Sequence, residues 1–179
     1  MRRAAARASA LLAALLLAAC ATLPPPEAAG DVLGGRLAVR VDAGADTPAR
    51  SESATFELRG DAQRGRLDLS TPLGSMVAQA RWEPAAVRLV TPQGERRFAD
   101  LDALTREVLG ESVPVAALFD WLRGRPWPGA ASTSSNVPGA RGFTQLGWNV
   151  DLGRFDEGWV IARRESAPAV TVRAKLERS

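Results

Sequence analysis

The chain of 179 residues has no histidine, no tyrosine, one cysteine (Cys20) and one lysine (Lys175). Without histidine there is no Ser-His-Asp triad and no Cys-His dyad, and a single cysteine cannot build a Cys/His metal cluster. A Gly-x-x-x-x-Gly-Lys-Ser/Thr nucleotide loop is missing as well. An excess of one charge is also lacking. Basic residues number 23 against 20 acidic ones, but Arg2, Arg3 and Arg7 lie in a segment expected to be removed, which leaves 23 − 3 = 20 against 20. A mature chain of zero formal charge has no general electrostatic attraction to nucleic acid, and no such partner is expected.

Carboxylate pairs suffice for some glycosidases. Here Glu52, Glu57, Asp68, Glu95, Asp100, Asp102 and Asp120 are scattered over expected polar faces, and a solvated surface explains them better. No enzyme activity, metal or cofactor is expected. The apolar fraction of 46% argues against disorder, and the length suits one domain with a sizeable core.

The N-terminus reads as an address. Arg2, Arg3 and Arg7 form a positive n-region, and Leu11 to Ala19 is an unbroken apolar stretch of signal-peptide length, too short to span a bilayer. Leu17-Ala18-Ala19-Cys20 resembles the bacterial lipobox, in which the cysteine becomes the lipid-bearing N-terminus; the alternative is an ordinary signal that happens to end in cysteine. Residues 1–19 are therefore expected to be a lipoprotein signal peptide and Cys20 the lipidation site. Ala21 stands where the lipoproteins retained at the inner membrane usually carry Asp, so the expected destination is the outer membrane, with the domain facing the periplasm. Residues 20–32, with Pro24, Pro25 and Pro26, form an expected extended tether. Its Pro- and Ala-rich part, the ten residues from Thr22 to Asp31, reaches at most roughly 30 Å at ~3.3 Å each, which keeps the domain beside the membrane.

The body, residues 33–179, reads as strands interrupted once by helix. Leu37, Val39 and Val41 alternate with Arg36, Arg40 and Asp42. Ala54, Phe56 and Leu58, then Leu67 and Leu69, then Met76, Ala78, Ala80 and Trp82 repeat this period of two, the signature of antiparallel strands with one wet face. Val87, Leu89 and the turn signal Pro92-Gln93-Gly94 predict a hairpin. Near 100–109 the period becomes helical, with Asp100 as N-cap and Gly110 as terminator; a second helix is expected near 114–123, opened by Pro114 and closed by Gly124. Pro126 to Gly142 is expected to be a mobile loop. Phe143 to Asp151, Trp159 to Arg163 and Val170 to Leu176 complete the strands.

Read in order, the lipobox, Thr71-Pro72-Leu73-Gly74-Ser75, Phe119-Asp120-Trp121-Leu122-Arg123-Gly124 and Phe143-Thr144-Gln145-Leu146-Gly147-Trp148 resemble the LolB family, over about residues 33 to 176. The ending Leu176-Glu177-Arg178-Ser179 departs from the aromatic that often closes the family pattern. The resemblance implies a mainly β fold with a small α part: an antiparallel, unclosed β-barrel (half-barrel) covered by a helical lid around an apolar cavity. It implies an outer-membrane receptor that accepts acylated lipoprotein cargo from a soluble LolA-like periplasmic carrier and passes it into outer-membrane lipid without ATP. A monomer is expected.

Two sets of residues carry this expectation. Phe56, Leu69, Trp82 and Trp148 on the sheet, with Val115, Leu118, Trp121 and Leu122 on the helical side, are the expected acyl-cavity lining; the alternative for each Trp is a filled core. Pro72, Leu73 and Gly74 are the expected membrane-insertion loop, since the turn chemistry sets Leu73 at a tip and the family's matching loop carries an exposed Leu with that role. The alternative is a leucine buried in a hairpin. Two other function classes stay open: a non-transferring outer-membrane lipoprotein acting as an assembly or scaffold subunit, with a filled core, and a carboxylate-based hydrolase.

Overall fold

The computed structural model describes residues 32–45, 48–135 and 139–177. The expected signal peptide, Cys20 and most of the tether lie outside them. Eleven strands form one antiparallel sheet in the order β6-β5-β4-β3-β2-β1-β11-β10-β9-β8-β7. They are β1 (Leu33–Val41), β2 (Arg50–Gly60), β3 (Gly65–Ser70), β4 (Met76–Glu83), β5 (Ala86–Thr91), β6 (Gly94–Phe98), β7 (Ser132–Ser134), β8 (Gly142–Gln145), β9 (Trp148–Asp151), β10 (Trp159–Arg164) and β11 (Val170–Leu176). The N-terminal strand β1 pairs with the C-terminal strand β11, so the chain's two halves meet in mid-sheet. The outer strands β6 and β7 do not pair, which leaves the barrel open.

Helices α1 (Leu101–Leu109) and α2 (Val115–Trp121) cover the inner face. As the sequence indicates, Asp100 caps α1, its carboxylate accepting from the Ala103 amide at 2.7 Å, and Gly110 ends it in the left-handed region at φ 81°. That conformation is nearly free for glycine and strained for other residues. Pro114 sits at the N-cap of α2 and makes no side-chain cap.

Three local expectations are corrected. The polar stretch expected to be loop throughout contains β7, where Ser132, Thr133 and Ser134 pair with β8. All three are exposed, and a short edge strand with no buried face shows no hydrophobic alternation to read. Phe143 to Asp151 is not one strand but a hairpin, broken at Leu146-Gly147. Finally, Met76 does not continue the inward row. A bulge opposes Ser70 to Met76 and Leu69 to Ala78, so the added residue shifts the alternation and leaves Met76 47% exposed.

On the outer face, Arg59, Arg66, Arg81, Arg88 and Arg97 are paired in register across β2 to β6. The adjoining row offsets this line of like charge: Glu57 pairs with Arg59 at 2.7 Å and Asp68 with Arg66 at 2.6 Å.

Candidate functional site: an apolar cavity under the helices

The two halves of the sheet are filled differently. Beneath β8 to β10 large rings take up the space: the Trp121 ring lies 6.4 Å from that of Phe143 and 6.1 Å from that of Trp148, beside buried Val150, Val160 and Ala162. Beneath β1 to β5 several inward positions carry small side chains among the larger ones. Val39, Ala54, Ala78 and Ala80 stand opposite α1 and α2 and leave a cavity of about 370 Å³, within the ~300–1,000 Å³ range of ligand pockets.

Its wall is almost wholly aliphatic. Leu37, Phe56, Leu58, Leu67, Leu69 and Leu89 line the sheet side, and Leu101, Leu104, Val108, Leu109, Val115, Leu118 and Leu122 the helical side. The polar members are few, namely Glu52, Ser53, Thr91 and Thr105. Thr105 is already engaged, its hydroxyl donating to the Asp102 carbonyl at 3.2 Å and accepting from the Val113 amide at 3.1 Å. Val77 and Val108 line the cavity and are also 44% and 43% exposed, so they mark where it opens to solvent.

Five of the eight residues expected to line the cavity are on its wall: Phe56, Leu69, Val115, Leu118 and Leu122. Trp82, Trp121 and Trp148 are not, and each has a physical reason. On α2, residues 115, 118 and 122 fall on one stripe, whereas consecutive positions step by about 100° and turn Trp121 away from Leu122. Its indole points at β8 and donates to the Gln145 Oε1 at 2.8 Å. Trp82 packs over Gly65, where a Cβ would come within 2.3 Å of the ring. It meets Phe119 edge-on at 5.4 Å and donates to the Asp61 carbonyl at 3.0 Å. Trp148 is in the filled half, under the Arg164 guanidinium at 5.7 Å. Each indole takes the space or the hydrogen bond that a buried Trp needs.

The small residues Ala54, Ala78 and Ala80 were missed as lining. Their signal is present in the sequence as alanine at inward positions of adjacent strands, where packing alone favours larger side chains. Val77 was missed because the bulge that turns it inward leaves no mark in the alternation.

Between β3 and β4 the chain makes a tight turn over Thr71-Pro72-Leu73-Gly74. The Gly74 amide donates to the Thr71 carbonyl and the Thr71 amide to the Ser75 carbonyl, both at 2.9 Å, with Gly74 at φ 85°. Proline at the second position and a left-handed glycine at the fourth suit this geometry. Leu73 is at the tip and is 95% exposed.

A profile described as outer membrane lipoprotein LolB matches residues 32–175, almost all of the described chain. The chain belongs to the LolB family. An outer-membrane lipoprotein LolB of Bordetella pertussis is 37% identical over 147 residues, covering 78% of this chain and 73% of the relative. One from Bordetella petrii is 35% identical over 148 residues, covering 78% and 74%. A LolB from Chromobacterium violaceum is 31% identical over 127 residues, covering 69% and 66%. Membership of the LolB family accounts for the shared extent: the matched region includes both helices, every wall residue of the cavity and the Leu73 turn.

Proposed function

We propose that this protein is an outer-membrane receptor, anchored through a lipidated Cys20, that accepts lipoproteins from a LolA-like periplasmic carrier and inserts them into the outer membrane without ATP. The cavity carries the reading: an open, aliphatic space beside an exposed leucine is suited to acyl chains and to little else of the same size. Each buried methylene is worth ~0.8 kcal/mol, so release of several long chains into water is prohibitive. Cargo must pass from one apolar environment to the next, each step level or downhill, and no nucleotide hydrolysis is required. Pro72, Leu73 and Gly74 form the loop that enters the bilayer surface and gives the cargo a path out.

A non-transferring scaffold lipoprotein is the other reading, and it calls for a filled core; the cavity under β1 to β5 weighs against it. The test is to mix the purified, acylated protein in liposomes with carrier-bound lipoprotein. Cargo recovered in the liposomes supports the proposal. Cargo that stays on the carrier while the receptor remains folded refutes it.

A further inference from the structure

Leu146 occupies a position that folding alone does not favour. The β8–β9 turn has two central residues, Leu146 and Gly147, at φ 54° and 76°. Both signs are those of a type I′ hairpin turn, which suits Asn-Gly. Leucine there sets its Cβ against the carbonyl that follows, and Leu146 is the only non-glycine residue at positive φ among the described residues. The register does not depend on it, because buried Gln145 and Trp148 pair directly below the turn. Packing repays only part of the strain, since Leu146 is 47% exposed. A strained, exposed apolar side chain calls for a functional cause.

The topology indicates that cause. Every neighbouring strand pair is antiparallel, and β3 and β8 are six places apart in the sheet order, so the turns that follow them emerge on the same rim. Their heights are comparable, offset by about three residues or roughly 10 Å. Thr144 is level, through Asn149, Arg163, Thr171 and Arg40, with Ser51, while Ser70 is level with Thr55. The two turns thus end within a few residues of one another in height and roughly 29 Å apart along the sheet. Val77 and Thr91, which line the cavity at this end of their strands, show that the cavity opens toward the same rim.

We infer that Leu146 is a second bilayer-contact point, acting with Leu73 as two separated apolar feet on the rim. One foot leaves the domain free to swivel. Two fix the rim toward the hydrocarbon and hold the cavity mouth against the lipid surface. The inference rests on the receptor reading and adds a residue and an orientation to it.

The test uses the acylated chain reconstituted in phosphatidylethanolamine/phosphatidylglycerol liposomes, with an environment-sensitive fluorophore on Leu146→Cys. The label is expected to shift to the blue and to be quenched by a lipid-borne quencher, as a label on Leu73→Cys should be. A label on Gln63→Cys, in the turn at the opposite rim, should stay aqueous. Independently, Leu146→Asn should relieve the backbone and raise the melting temperature by about 2–4 °C, while cargo delivery slows severalfold and acceptance from the carrier is unchanged. A label at 146 that stays as aqueous as that at 63, with Leu146→Asn delivering at the wild-type rate, overturns the second foot and leaves the receptor reading standing. Wild-type protein that delivers no cargo overturns both.

Discussion

The indole nitrogen of Trp121 donates to Oε1 of Gln145 across 2.8 Å, and neither side chain reaches solvent. The same oxygen accepts from the Trp127 amide at 2.9 Å, and Nε2 donates to the carbonyls of Trp127 and Ala130, both at 2.7 Å. One buried amide therefore joins the end of α2, the segment after it and strand β8. It ties the helical cover to the sheet on the side away from the cavity, whose wall includes none of these residues.

Gln145→Leu is expected to be severely destabilising. It removes four hydrogen bonds at once and leaves two N–H donors and two carbonyls without partners, the Trp121 indole fully buried and the Trp127 and Ala130 groups part-buried. At ~1–3 kcal/mol for each stranded group, with partial relaxation, the loss should be roughly 3–5 kcal/mol. Urea unfolding measures it. A loss below 1 kcal/mol would mean that water or another side chain takes over the node.

Filling the cavity should separate binding from folding. Ala54→Leu with Ala78→Leu places two larger side chains into existing empty volume, so little of the usual overpacking strain arises. The melting temperature should change by only a few degrees while affinity for a lipopeptide falls at least tenfold. Trp82→Ala should do the reverse, costing about 3–5 kcal/mol of stability because the ring is core and not wall. Calorimetry of lipopeptide binding beside thermal unfolding distinguishes the two. A double leucine variant that binds as well as wild type would remove the cavity from the mechanism.

The outer arginine row offers a test of electrostatics alone. Arg81 faces Arg66 on one side and Arg88 on the other, and among the described residues its side chain donates to the neutral Gln79 amide oxygen, at 2.7 Å. Like charges directly opposed in a sheet are destabilising, and opposite pairs contribute ~0.2–1 kcal/mol. Arg81→Glu should therefore raise stability by about that amount at low salt, and the gain should shrink as salt screens the pairs. Melting curves at two ionic strengths check it; a loss of stability at low salt would show that the neighbouring acidic row already satisfies Arg81.

Much of this architecture was legible because its periods are simple. Two-residue alternation marked most of the long strands, and Asp100 and Gly110 bracketed α1 through capping chemistry that is local by nature. What was not legible depends on partners far away in sequence. The bulge opposite Ser70 reverses Met76 and Val77 through a pairing choice of the whole sheet. The direction in which Trp121 points is set by Gln145, 24 residues on. Cavity volume is a difference between two large filled spaces, so a list of apolar residues on facing elements gave the wall on the aliphatic side and misplaced all three tryptophans. The Leu146 turn hid for a separate reason: leucine is not a turn residue, and only the backbone reveals that it is used as one.

Leu73 gives the most direct separation of steps. Its side chain is almost fully in solvent at the tip of a turn held by backbone hydrogen bonds, so Leu73→Glu removes no packing and should change stability by no more than about 0.5 kcal/mol. In water the change is mild. At a bilayer it is not, because an ionised carboxylate resists entering hydrocarbon. Acceptance should survive, since the cavity wall begins at Val77 and Leu69 and does not include Leu73. The variant is expected to take cargo from the carrier at the wild-type rate and hold it, with delivery to liposomes reduced at least tenfold. Leu73→Phe, equally apolar, should restore delivery, which a purely conformational role for the turn would not. If Leu73→Glu accepts and inserts cargo as wild type does, the cavity opens to the membrane by some other path and the loop has no part in it.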